Sequence, residues 1–319
     1  MMTQATATLA PGSAASSGNT KKKGRQRMTS SRRQARSGWM FVLPFLVVFI
    51  AMIVIPVVYS LYLSFFRDQL VGGNAFVGLS NYATLFQDGK FWSGLGHVSI
   101  FFVVQVPIML GLALVAALAI DSVRLYGRGF VRIAVFLPYA VPGVVAVLIW
   151  GFIYGDQFGL VASINQFLNS DWLQPLSSEW ILVSIGNIVT WEFMGYNMLI
   201  IYSGLKTIPT ELYEAAEIDG ASPFQIVKSI KIPAVRGPLL ITLIFSIIGS
   251  FQLFNEPNLL KPLRDGVISS YYTPNMYAYN LSIAGGQYNY AATVAIVMGI
   301  LTAIIAYTVQ MRSVKSEAK

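Results

Sequence analysis

The sequence predicts an all-α integral membrane protein with six spanning helices, and three observations predict it. Of the 319 residues, 55% are hydrophobic and only 11% are charged, against about 25% charged in soluble domains. A soluble fold of this size could not hide that much apolar surface. Six segments read as spans, and five of them meet the about 20 apolar residues that a span needs at about 1.5 Å rise each. Lys and Arg are also spread unevenly: 18 lie on one alternating set of inter-span segments and 4 on the other. These features exclude an ordinary soluble enzyme, a disordered protein and a secreted disulfide scaffold. The chain has no cysteine, hence no thiol catalysis, disulfide or Cys-ligated metal. A single histidine, His97, argues against a His-based metal site or a Ser-His-Asp triad.

Residues 1–37 carry eight Lys/Arg and no acid. Rich in Ala, Ser, Thr and Gly, they are expected to be disordered. The spans are expected over 39–66, 95–120, 131–154, 180–205, 239–254 and 288–311. The first is too long for the apolar core of a signal peptide, and the fifth is the shortest. The positive-inside rule places both termini and the 206–238 loop in the cytoplasm. The expected organisation is a basic cytoplasmic tail (1–37), one six-span domain (38–312) and a short cytoplasmic tail (313–319). The basic tail reads as a topology signal and a partner for anionic membrane lipid, with no nucleic acid involved. The location is the cell membrane, and Pro44, Pro56, Pro107, Pro138 and Pro142 read as tolerated kinks within spans.

The cytoplasmic loop reads KTIPTELYEAAEIDGASPFQIVKSIKIPAVRGP over 206–238. A helix is expected over Thr210–Ile218, with Pro209 before it and Glu211 and Glu214 near its positive end. Gly220 follows as a breaker. Ser222, Pro223 and Gln225 read as N-cap, first helical residue and capping-box partner. They open a second helix from Pro223 to about Ile232, which Pro233 is expected to end. Phe224, Ile226, Val227 and Ile230 are expected to face protein, and Lys228 and Lys231 solvent.

Glu214-Ala215-Ala216, three residues, Gly220, nine residues, then Ile230-Lys231-Ile232-Pro233 resembles the EAA loop of binding-protein-dependent ABC importer permeases. Ile232 replaces the family's Leu. Leu205–Pro209, the FQLFNEP run (251–257) and the last span look similar to sugar permeases of the maltose-transporter type. The resemblance covers most of 38–312. It implies the type I ABC importer permease (MetI-like) fold and a subunit that moves a di- or oligosaccharide. The implied partners are a second, usually different, permease, two ABC ATPase subunits and an extracytoplasmic sugar-binding protein. It also implies that Glu214, Ala215, Ala216, Asp219, Gly220, Ile230 and Pro233 form a peg seated in the ATPase. Glu214 and Asp219 either pair with ATPase bases or fix the loop internally. No cofactor is expected on this chain. ATP is used by the partners, because the only Gly-Lys pair, Gly89-Lys90, lacks the rest of a phosphate-binding loop.

Glu192 is the one clear intramembrane acid, and such groups face a cavity or a partner. Trp191 and Tyr196 can stack on a sugar ring, and Glu192 and Asn197 can bond hydroxyls. The alternative is an interfacial aromatic belt with Glu192 satisfying a helix break. The resemblance adds Ser250, Gln252 and Asn255 on the fifth span. Tyr271, Tyr272, Tyr277, Tyr279, Tyr288 and Tyr290 read first as an interfacial belt, with contact to the binding protein as the alternative, and His97 reads as interfacial. The rivals are an importer of a non-sugar solute, a membrane-embedded enzyme, and an ATP-independent channel or secondary transporter.

Overall fold

The structure, a computed structural model, describes residues 23–69, 72–122 and 125–317. The chain divides into two compact units, Met1–Tyr59 and Ser60–Lys319.

The first unit is helix α1 (Lys23–Phe49), a π-helical turn (Ile50–Val54) and the start of α2 (Ile55–Ser64). The π turn lies just ahead of Pro56, which has no N–H and whose ring crowds the preceding turn; a wider turn relieves both problems. Trp39, Phe41, Phe45 and Met52 are exposed, as suits a helix solvated by lipid. Residues 23–37 were expected to lack structure, yet α1 begins at Lys23. Lys, Arg, Gln, Met and Ala extend a helix already nucleated by the apolar span. Residues 1–22 of the expected tail lie outside the described residues.

The second unit holds strands β1 (Phe66–Gln69) and β2 (Gly73–Phe76), then α3 (Ser80–Phe86) and α4 (Gly89–Asp121). It continues with α5 (Arg128–Phe136), a 3-10 turn (Leu137–Ala140), α6 (Gly143–Tyr154), α7 (Leu160–Leu168) and α8 (Ile181–Leu205). After them come α9 (Thr210–Ile218), α10 (Pro223–Ile226), a π turn (Val227–Lys231), α11 (Ile232–Ala234) and α12 (Arg236–Phe251). Last are α13 (Asn255–Leu260), a 3-10 turn (Lys261–Leu263), α14 (Pro274–Ile283) and α15 (Tyr288–Glu317). The two strands pair antiparallel, Phe66 opposite Phe76 and Gln69 opposite Gly73, a hairpin absent from the all-α expectation.

Three helical stretches, Ser37–Ser64, Gly89–Asp121 and Tyr288–Arg312, are long and apolar enough to cross a membrane; two bent pairs raise the number to five. The third expected span is not one helix. Arg128–Ala140 and Gly143–Tyr154 meet at 97°, so Pro138 and Pro142 mark a break and not a kink. Pro142 is extended (ψ 131°), and neither proline can donate to a helical ladder. The fourth expected span is continuous as α8, 25 residues, or about 37 Å.

Three apolar clusters hold this unit together. Phe101, Ile185, Ile188 and Leu260 join α4, α8 and α13. Leu85, Phe91, Ile247 and Val294 join α3, α4, α12 and α15. Ala113, Ala117, Met198, Ile201 and Val235 pack the far end of α4 against α8. Small residues let α4 and α8 approach closely, the usual device where lipid supplies no hydrophobic drive. Gly195 of α8 is required: a Cβ there would meet the Val135 carbonyl oxygen at 2.1 Å.

The N-terminal end of α4 is tied down by Asp88. Its Oδ1 accepts from the Lys90 amide at 2.9 Å, and its Oδ2 from Tyr277 and Tyr290 at 2.6 and 2.8 Å. His97 stacks on Tyr272 at 4.2 Å, and Tyr272 is buried. Tyr272, Tyr277 and Tyr290 are therefore packing and hydrogen-bonding residues, whereas Tyr279 and Tyr288 are exposed as a belt requires.

Burial pushes the Asp88 carboxyl up, but the tyrosine and amide hydrogen bonds outweigh it and hold the group below the ordinary carboxylate value. A depressed carboxylate contributes stability above the unfolded value near 3.9 and loses it as pH falls through the folded value. Asp88→Asn is expected to lower stability by roughly 1–2 kcal/mol at neutral pH. The difference from wild type should shrink below pH 4, read by thermal melts of the detergent-solubilised chain.

Candidate functional site

The 206–238 segment folds as two short helices about Gly220. Helix α9 covers the residues expected of it, and the capping box is formed: Ser222 N donates to Gln225 Oε1 at 2.7 Å and Gln225 N to Ser222 Oγ at 3.4 Å. Gly220 has φ +75° and nothing within 4 Å of where a Cβ would stand. Its backbone needs a residue free of the left-handed penalty, and the space beside it is open. Glu214, Ala215 and Asp219 are exposed, whereas Ala216, Ile230 and Pro233 are half-buried.

Two details differ from expectation. Pro233 does not end the second helix. The chain widens into the π turn ahead of it, continues to Ala234 and bends by 61° at Val235 into α12. The relief is the same as that ahead of Pro56. Phe224 is exposed, and Lys231 turns inward, its side chain only 13% accessible.

Lys231 turns inward because Asp121 is there. This carboxylate, the last residue of α4, takes Lys231 Nζ on Oδ2 at 2.6 Å and Lys206 Nζ on Oδ1 at 2.9 Å. Lys206 lies over Tyr202 and Lys231 over Tyr213, at 5.1 and 5.4 Å from the ring centroids. The hydrogen bond to Asp121 holds the Lys206 ammonium above its ordinary value, against the opposing effect of burial. One buried acid thus clamps the entry and the second helix of the loop to the membrane bundle. Sequence reading missed Asp121 because its partners lie 85 and 110 residues away; the signal available was a lone acid ending an apolar run.

A second feature is a cavity of about 340 Å³ bounded by α4, the break before α6, α8, α12 and the turn into α13. Pockets for small ligands run from about 300 Å³ upward. Five of the seven expected substrate-path residues line it: Tyr196, Asn197, Ser250, Gln252 and Asn255. Tyr196 stacks on Tyr139 with ring centroids 4.8 Å apart and planes 19° off parallel. Gln105, Phe193, Ser246, Phe254 and Glu256 also line it. Tyr139 reaches the cavity because the chain breaks between Pro138 and Pro142, a pair that carried the signal.

Trp191 and Glu192 stand outside the lining. Trp191 meets Trp150 edge-on at 5.9 Å. Glu192 is buried against Gly143, where a Cβ would lie 3.1 Å from its Oε1; its Oε2 has no hydrogen-bond partner among the described residues. Glu192 thus packs at the helix break, one of the two roles open to it from sequence.

Residues 109–316 match the family model described as binding-protein-dependent transport system inner membrane component. The lactose transport system permease protein LacF of Rhizobium radiobacter is 32% identical over 282 residues, covering 85% of this chain and 92% of that one. The trehalose/maltose transport system permease protein MalF of Thermococcus litoralis is 34% identical over 229 residues, covering 70% and 76%. Among solved structures, a bacterial ABC transporter involved in import of the acidic polysaccharide alginate superposes with a TM-score of 0.79 at 18% identity, covering 91% and 99%. The fold is therefore the type I ABC importer permease (MetI-like) fold. The chain belongs to the family of inner membrane components of binding-protein-dependent transport systems, a transport subunit and not an enzyme.

Proposed function

We propose that this chain is one permease subunit of an ATP-driven importer that moves a di- or oligosaccharide delivered by an extracytoplasmic binding protein. The observation that carries the reading is the pairing of two features on one bundle. One is an exposed EAA loop clamped to the end of α4. The other is a cavity lined by stacked tyrosines and neutral amides and hydroxyls between α4, α8 and α12. Aromatic faces suit the C–H face of a sugar, and amides and hydroxyls suit its hydroxyl groups. Relatives named for lactose and for trehalose/maltose support the cargo class.

In this reading α8 completes six spans, and both termini and the 206–238 loop face the cytoplasm, as the Lys/Arg distribution favours. The domain runs over 38–312 between the tails. A second, different permease completes the cavity, and two ATPase subunits bind and hydrolyse the ATP. Glu214, Ala215, Ala216, Asp219, Gly220, Ile230 and Pro233 form the peg that meets the ATPase. The clamp leaves Glu214 and Asp219 exposed, which favours pairing with bases on the ATPase. Closure of the ATPases moves the peg, and transport follows only if the peg's contacts differ between inward- and outward-open states. Tyr196, Asn197, Ser250, Gln252 and Asn255 contact cargo, while Glu192 and Trp191 support the wall.

The test is uptake of labelled mono-, di- and oligosaccharides by cells with and without the gene. Uptake of one sugar should be lost on deletion and restored by the wild-type gene. Unchanged uptake across the panel would contradict the sugar assignment, and uptake that persists after ATP depletion would contradict the coupling.

A further inference from the structure

The cavity's polar lining is neutral but for one group. Gln105, Asn197, Ser250, Gln252 and Asn255 present amides and hydroxyls, and Glu256 is the only carboxylate. No Lys, Arg or His stands among the lining residues. A second carboxylate, Glu192, is buried behind the wall against Gly143 at the break before α6. Three cations of this unit are engaged with other acids: Arg264 with Asp156 at 3.0 Å, and Lys206 and Lys231 with Asp121.

We infer that this cavity refuses anionic sugars: it admits uncharged sugars, tolerates an amino substituent and turns uronates away. The inference rests on the sugar-importer reading and adds the charge class of the cargo. A uronate carboxylate entering here would stand beside Glu256, with Glu192 behind the wall, in a low-dielectric site whose lining offers no cation to balance it. Neutral hydroxyls meet the full set of amide and hydroxyl partners, and an ammonium finds Glu256. Repulsion of the wrong ligand is an established route to specificity. The shared fold does not set this property, since the similar alginate importer is described as taking an acidic polysaccharide and function resides in the site grafted on a fold.

The test uses the complete importer in proteoliposomes. The probes are a neutral disaccharide that it transports, the same sugar with a terminal uronate, and the same sugar with an amino group. Affinity of the binding protein for each probe is measured separately, so that selection by the permease is read as uptake per bound complex. Wild type is expected to take the uronate about tenfold or more below the neutral sugar, a gap of roughly 1.4 kcal/mol per decade. The uronate-to-neutral ratio should rise several-fold in Glu256→Gln and, through a second route, in Glu192→Gln. Reading a ratio within each variant removes losses of assembly. Equal wild-type uptake of uronate and neutral sugar, or a ratio unmoved in both variants, would overturn the inference while leaving the sugar reading intact. Failure to transport any neutral sugar would overturn the sugar reading and this inference with it.

Discussion

Gly220→Asp is expected to abolish sugar uptake while the protein still inserts and assembles. Gly220 lies at φ +75°, and among the described residues nothing beyond its chain neighbours stands within 4 Å of where a Cβ would sit. An L residue in that conformation costs about 1–2 kcal/mol, and Asp is among the residues that bear it best. That cost is small beside the three apolar clusters of the bundle, so the fold should survive. The new carboxylate would project into the open space beside the peg, next to exposed Asp219. A seated ATPase surface would meet both steric bulk and an added charge. Uptake should fall by more than about tenfold, roughly 1.4 kcal/mol or more of coupling, with normal amounts of chain in the membrane. Normal uptake by this variant would mean that the loop does not couple at Gly220.

Asp121→Asn is the second change with a large expected effect. It removes the negative partner of two lysines at once. The contributions are unequal. Lys231 is mostly buried, whereas half of the Lys206 side chain is accessible, so solvent screens the Lys206 pair toward the small value of a surface ion pair. Removing one member of a buried pair leaves an uncompensated charge and is costly, about 3–5 kcal/mol at the buried limit. Asp121 and Lys231 approach that limit without reaching it. Lys231→Ala should therefore impair uptake more than Lys206→Ala. The charge-swapped Asp121→Lys with Lys231→Asp should recover part of what each single change loses. The cleanest readout is ATP hydrolysed per sugar moved: a loosened peg raises that ratio, whereas a general loss of fold lowers both together. Additive single and double losses would show that the ion pair does not act as a unit.

The loop was legible because its signals are local. Pro209 before Thr210, the Ser222–Gln225 box and Gly220 each act within three or four residues, and α9 and the capping box follow from them. The three continuous apolar helices Ser37–Ser64, Gly89–Asp121 and Tyr288–Arg312 were legible from apolar length alone. The misses have other physical causes. A proline ends a helix or kinks it depending on whether neighbouring turns can widen. The chain widens before Pro233 and Pro56, but it breaks at Pro138 and Pro142. The signal for the hairpin is the glycine pair Gly72-Gly73 between short half-apolar runs, which the all-α expectation did not include. The Asp121 clamp, the Asp88–Tyr277–Tyr290 cluster and the Tyr139–Tyr196 stack all join distant segments, which periodicity does not encode. Part of the cavity was legible because Tyr196 and Asn197 share one run on α8. Glu256 was not, because it follows the apolar stretch on the turn into α13.

The absence of cysteine opens the most direct test of the central claim that the 206–238 loop docks on the ATPase. Ala215→Cys places one thiol on the exposed face of α9, and Ser178→Cys places one on an exposed segment elsewhere. Each is treated with a short cross-linker in membranes that hold the assembled importer. A cross-link to the ATPase subunit from Ala215→Cys, altered in yield by ATP and absent from Ser178→Cys, is the result this account predicts. A cross-link from Ser178→Cys and none from Ala215→Cys would place the ATPase on the other face and contradict the account.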